Sequence, residues 1–173
     1  MKFLIFIPQK DFRDETVSML KLFFDKWDVG YQITSFTTKE CMGSHGAVYT
    51  PTLHTGKASA ADFDGIVLVD GKGVDEYRLY EYRPLLDILL QFSIKNKKVA
   101  GIGNAIKALA RANIIKDKKI SMPRDEEARR MVLLFHGVAS QNAAEISGNI
   151  VTIGDSANLE RAMQEVLGGL GVM

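Results

Sequence analysis

The stretch Lys98-Val99-Ala100-Gly101-Ile102-Gly103-Asn104-Ala105 constrains this chain most. A short apolar run ends in glycine, and a helix-like segment, Asn104 to Ala112, follows at once. In an open α/β sheet, a strand feeding straight into a helix makes a tight elbow at the carboxyl edge of the sheet, where ligands bind and nucleophiles sit. The elbow residue here is Gly103, which carries no side chain. The pattern marks a place for chemistry and withholds the group that would perform it.

The rest of the chain supplies such a sheet. Phe3-Leu4-Ile5-Phe6-Ile7 and Gly65-Ile66-Val67-Leu68-Val69 are apolar runs bounded by turn residues, as in central parallel strands covered on both faces. Val17, Leu20, Phe24 and Trp27 recur at helical spacing. Asp11, Asp14 and Glu15 lie near the start of that helix, where its dipole favours acids, and Gly30 marks its end. Tyr31 to Phe36 predicts a second strand, and Thr37 to His54 an irregular antiparallel excursion. Pro84 opens a helix running to Phe92. Lys118 to Met122 predicts a strand, Asp125 to Arg130 a solvated helix face with local ion pairs, and Asn149 to Ile153 the last of two short strands. A final helix covers Leu159 to Leu167, closed by Gly168-Gly169. Strands alternating with helices give an α/β class with a mostly parallel sheet, in one domain spanning residues 1–173.

Composition narrows the function. With 22 basic and 21 acidic residues the net charge is +1, which gives no electrostatic reason to expect nucleic acid or an anionic membrane as partner. The apolar run at Phe3 to Ile7 is too short for a signal segment or a membrane span. A single cysteine, Cys41, excludes an intrachain disulfide and fits a reducing, cytoplasmic compartment. Its neighbours Lys39 and Glu40 oppose each other, so it reads as an inert or loosely exposed thiol. His45, His54 and His136 show no metal-ligand spacing, and no cofactor or metal is expected.

Several motifs together carry a family resemblance. Phe3 to Ile7, Asp11-Phe12-Arg13-Asp14-Glu15, Asp62 to Leu68, Gly71-Lys72-Gly73, Lys97 to Ile102 and Gly148 to Thr152 fall in order along the chain. In that order and spacing the chain resembles the DJ-1/PfpI (ThiJ/PfpI) family of the class I glutamine amidotransferase-like superfamily. The resemblance implies a flavodoxin-like three-layer sandwich, usually a homodimer. It also implies a range of activities: cysteine peptidases, glyoxalases or deglycases, chaperones and stress proteins. Family enzymes carry a nucleophilic cysteine at the elbow, often followed by histidine. The matching positions here are Gly103 and Asn104, and the position of a second histidine matches Met122. The family's acidic partner matches Glu15, which would then be desolvated at the elbow with a raised pKa.

Two readings of Glu15 follow: an exposed helix-start carboxylate, or a candidate catalytic acid facing the elbow. Gly71 and Gly73 form a strand-ending turn, or a set of backbone amides facing an anion, half of an oxyanion hole. Tyr77 to Arg83 covers the pocket, joins a dimer contact, or lies on the surface as a loop. Lys107, one turn past the elbow, is expected to point elsewhere. The resulting expectation is a protein of altered or lost catalysis. It binds a small polar ligand through Gly71, Gly73, Gly103 and Asn104, or acts in stress response. The alternative is an active hydrolase or glyoxalase/deglycase using Glu15 with an unusual partner.

Overall fold

A computed structural model describes residues 1–172. In chain order the strands and helices are β1 (Lys2–Phe6), β2 (Lys10–Phe12), α1 (Asp14–Lys26), β3 (Gly30–Ser35), β4 (Cys41–Gly43), β5 (Val48–Tyr49), β6 (Leu53–His54), β7 (Gly65–Leu68), α2 (Lys72–Glu76) and α3 (Arg83–Ile94). There follow β8 (Lys98–Ile102), α4 (Ile106–Arg111), β9 (Lys119–Ser121), α5 (Glu126–Leu134), β10 (Val138–Ser140), β11 (Glu145–Ser147), β12 (Ile150–Ile153) and α6 (Leu159–Gly169).

Seven strands form the central sheet in the order β11-β12-β8-β7-β1-β3-β6. Every pair in it is parallel except β11 with β12. The apolar runs are continuous because both faces of the sheet are covered. Leu4, Phe6, Ile66, Leu68 and Val99 pack on one side with Leu89 and Phe92 of α3 and Leu109 of α4. Phe3, Ile5, Val67, Ala100 and Ile102 pack on the other with Leu20 and Phe24 of α1 and Met163 of α6. The period of two along each strand thus separates two cores, giving a three-layer α/β sandwich.

Local departures from the sequence reading have local causes. Lys10–Phe12, which the sequence reading did not make a strand, pairs in parallel with β4 in a small side sheet; β4 and β5 make the expected antiparallel excursion. Lys119–Ser121 is a strand but pairs with β10, outside the central sheet. Gly73 belongs to α2 rather than to a loop. Trp27 is the residue just past α1 and is exposed, not on the buried face. Among the described residues, no helix is long and apolar enough to cross a membrane.

Candidate functional site

Three neighbouring parallel strands, β7, β8 and β12, end side by side at the carboxyl edge of the sheet. The residues that follow them, Asp70-Gly71, Gly103-Asn104 and Gly154 to Ser156, line one cleft of about 310 Å³. The chain turns at Gly103 with φ +55°, a left-handed conformation, and passes through one 3-10 turn into α4. This is the elbow geometry expected from sequence.

Asp70 fills the space above that turn. A Cβ placed on Gly103 would lie 3.0 Å from both Cβ and Oδ2 of Asp70. The aspartate is only 5% exposed. Its Oδ1 accepts a hydrogen bond from Thr16 Oγ1 at 2.8 Å. Burial pushes the Asp70 carboxyl up from its ordinary pKa, against the pull of the Thr16 and Ser156 hydroxyls and the Arg13 charge.

Glu15 does not face the elbow, contrary to the family-based expectation. Successive residues of a helix are rotated by about 100°. The α1 residue turned toward the elbow is therefore Thr16, which is buried, and Glu15 points aside, its side chain 52% exposed. Its Oε1 lies 3.1 Å from His45 Nδ1, and its Oε2 lies 3.8 Å from Arg13 Nε. These groups line a neighbouring cleft of about 540 Å³ that touches the first at Gly71. The loop carrying His45 is clamped by the buried Asp14, whose Oδ1 accepts from His45 N and Oδ2 from Ala47 N, at 3.0 and 2.9 Å. Burial pushes the Asp14 carboxyl up, but the two amides outweigh it and leave its pKa lowered.

The glycine loop is not an open set of amides. Gly71 N–H donates to Asn104 Oδ1 at 3.1 Å, and Asn104 Nδ2 donates back to Gly71 O at 2.8 Å. This reciprocal pair consumes the donor that an oxyanion would need. Gly71 does supply a positive φ, +139°, at the start of α2. Gly73 is a close-approach position and no part of the cleft lining: an added Cβ would collide with the carbonyl oxygen of Lys10.

Lys107 is the largest departure. Its side chain is 0% exposed and is directed inward, between α2 and the start of α5. Nζ is 2.7 Å from Asp75 Oδ1, 2.9 Å from Asp125 Oδ2 and 2.8 Å from Glu127 Oε2. The ring of Tyr80 lies 5.3 Å away. Burial pushes the Lys107 ammonium down, but the three carboxylates outweigh it and hold its pKa above the ordinary value. The carboxylates converge as the ligands of a metal ion would, around an ammonium. Asp75 and Asp125 also line the elbow cleft, so the start of α5 is part of this cage rather than only a solvated face.

The remaining candidates lie elsewhere. Tyr77 and Tyr82 pack on Phe36, with ring centroids 5.8 and 5.7 Å apart, and line a separate cleft of about 340 Å³. Neither they nor Met122 line the elbow cleft. Cys41 is buried, not loosely exposed, and burial pushes its thiol pKa up. His136 is exposed in a positive-φ turn. Sequence reasoning passed over Asp70, Asp75, Asp125 and Thr16. An aspartate directly after the apolar run of β7 was the available signal for the first.

Comparison with known proteins fits this geometry. The profile of the DJ-1/PfpI family matches residues 1–152. The chain belongs to the DJ-1/PfpI family. An uncharacterized protein of Methanocaldococcus jannaschii, MJ0967, is 30% identical over 151 residues, covering 87% of this chain and 73% of that one. Among solved structures, a ThiJ/PfpI domain protein from Brachyspira murdochii superposes with a TM-score of 0.89 at 23% identity, covering 99% of this chain and 97% of that one. A DJ-1 superfamily protein from Agrobacterium tumefaciens gives a TM-score of 0.83 at 20% identity, covering 100% and 92%. These likenesses carry the flavodoxin-like family fold onto this chain.

Proposed function

We propose that this chain is a ligand-binding member of its family without thiol chemistry, taking a small polar molecule in the cleft above Gly103. One observation carries the reading: the elbow residue is Gly103, in a left-handed turn at φ +55°, and the Asp70 carboxyl crowds the place where a side chain there would begin, 3.0 Å from its Cβ position. Covalent catalysis needs a nucleophile with a base or a lowered pKa. Glycine provides no nucleophile, and the oxyanion of a tetrahedral intermediate would find the Gly71 amide engaged by Asn104. What remains is a preformed polar cleft at a sheet edge, a common place for binding. The test is an assay of the purified protein with methylglyoxal and with peptide substrates, beside amide NMR titrations of polar metabolite mixtures. The reading predicts no turnover above background and ligand-dependent shifts at Gly71 and Gly103. Turnover of either substrate above background overturns it.

A second reading, an active hydrolase or glyoxalase/deglycase using Glu15, draws on a different observation. His45 bound through Nδ1 to Glu15 resembles a carboxylate-oriented general base. Turnover abolished by both Glu15→Gln and His45→Gln, with the fold intact, supports that reading instead.

A further inference from the structure

We infer that a second cleft, between the end of β9, helices α5 and α6 and the β10–β11 loop, is a site for a phosphate group, free or carried by a small molecule, held by Arg124, Arg129 and Arg161.

This cleft, of about 390 Å³, lies beside the elbow cleft and shares Arg124 and Asp155 with it. Its arginines come from three separate segments: Arg124 from the turn after β9, Arg129 from α5 and Arg161 from α6. Asp155 is the one carboxylate in the lining. The lining therefore holds three positive charges and one negative, on a chain whose net charge is only +1. A phosphate monoester carries about −1.5 to −2 at neutral pH, which matches that surplus. Guanidinium forks from several segments suit an acceptor with oxygens on several sides. A phosphate has them, whereas a carboxylate presents two oxygens in one plane.

The pairing of the nearby acids leaves these arginines unused. Asp125, Glu126 and Glu127 stand between Arg124 and Arg129 in sequence, where local ion pairs would neutralise the cations. The fold commits those acids elsewhere. Lys107 Nζ takes Asp125 at 2.9 Å and Glu127 at 2.8 Å, and Arg130 takes Glu126 at 3.5 Å. Successive helical residues are rotated by about 100°, and Arg129 lines the cleft while Arg130 does not. The Arg129 side chain has no hydrogen-bond or ion-pair partner among the described residues. Arg124 is left with Asp155 at 3.7 Å, longer than a hydrogen bond, and Asp155 Oδ1 already accepts from Ala157 N–H. Arg161 donates through Nη2 to the neutral Asn158, which leaves its charge uncompensated.

The opposite wall is fixed by its own hydrogen bonds. Ser121 Oγ donates to Asn142 O at 2.7 Å. Glu145, which is not in the lining, accepts at Oε1 from Ser140 Oγ and Asn142 Nδ2 at 2.8 and 2.6 Å. Its carboxylate thus holds the loop from behind. The free donors facing the cleft are those of the guanidinium groups.

The test titrates the full chain with inorganic phosphate, glycerol phosphate, glycerol and malonate, at mildly alkaline pH and fixed ionic strength. Side-chain Nε–H shifts of Arg124, Arg129 and Arg161 and the amide shift of Asn142 report occupancy. Both phosphate probes are expected to bind saturably, glycerol not at all and malonate more weakly. Arg129→Gln and Arg161→Gln, both exposed positions, are each expected to weaken phosphate binding about fivefold or more. Arg130→Gln removes the same charge one residue away and is expected to leave binding unchanged. Tighter binding of glycerol phosphate than of inorganic phosphate assigns the site to an ester, and equal binding assigns it to the free ion. Equal losses in Arg129→Gln and Arg130→Gln would reduce the effect to general surface charge and overturn the inference. Malonate binding as tightly as phosphate also overturns it. Shifts at Gly71 and Gly103 that survive Arg129→Gln and Arg161→Gln place the anion in the elbow cleft instead. Absence of any saturable shift with the phosphate probes overturns this second site and leaves the reading of the elbow cleft standing.

Discussion

The side chain of Asp70 lies against the place where a side chain at residue 103 would begin, its Cβ and Oδ2 each 3.0 Å from that Cβ position. The two positions are therefore coupled: a side chain at residue 103 and the Asp70 carboxyl press on each other. Gly103→Ala meets this carboxyl and also places a side chain at φ +55°. Backbone strain and overpacking together are expected to cost about 2–4 kcal/mol. Asp70→Gly in the same chain removes the collision but not the backbone strain. Urea unfolding of the two single variants and the double variant should show a coupling of about 1 kcal/mol or more. Additive effects would mean that the side chains do not compete for space.

Asp70 also sets a pH dependence. Its pKa is raised in the folded protein by burial above an ordinary value near 3.8. Between those two values the native state holds a proton that the unfolded state has lost. Stability from this group therefore falls as pH rises through that window, by at most about 1.4 kcal/mol per pH unit. Asp70→Asn cannot ionise and lacks this slope. The difference in unfolding free energy between the two proteins, followed upward from about pH 4, isolates the contribution. A difference that does not change with pH would show that the carboxyl titrates alike in both states.

Lys107 ties α4 to α2 and α5 through carboxylates on each. Lys107→Met leaves Asp75, Asp125 and Glu127 facing one another without a counter-charge. Removing one partner of a fully buried pair costs about 3–5 kcal/mol. The three carboxylates retain contact with water, so a loss of about 2–3 kcal/mol is expected here. Adding Glu127→Gln should recover part of it. Because the Lys107 pKa is raised on folding, its contribution is fully present below the ordinary value of 10.5 and lost as pH rises through the folded value. Equilibrium denaturation of the variants at neutral pH, and of the native protein in alkali, measures both effects.

The fold was legible because its signals are periodic and local. Three unbroken apolar runs and the helices between them state a parallel sheet covered on both faces, and the elbow at Gly103 follows from one strand running directly into one helix. The contents of the site depend on contacts between distant segments. Helix α1 begins at Asp14, and a phase difference of one residue directs Thr16, not Glu15, toward Asp70 across 54 positions of sequence. Lys107 sits among Ile106, Ala108, Leu109 and Ala110 of α4, and only the approach of α2 and α5 provides it with partners. Gly73 announces flexibility in the sequence, but its role is to let the Lys10 carbonyl pass close by.

Asp14 offers a last test, of the clamp that positions His45 beside Glu15. Its two oxygens accept the amides of His45 and Ala47, and Gly43 lies close against the same carboxylate. Hydrogen bonds to a charged group contribute about 1.5–3 kcal/mol each, and part of that remains when water replaces the carboxylate. Asp14→Ala is therefore expected to cost about 2 kcal/mol and to speed hydrogen exchange at His45 and Ala47, while the central strands keep their protection. The lowered pKa fixes the sign with pH: the contribution is present above the ordinary value near 3.8 and is lost as pH falls through the folded value. Exchange that quickens equally in β1, β7 and β8 would make Asp14 a support of the whole fold. Exchange confined to residues 43–49 would make it the clamp of one loop.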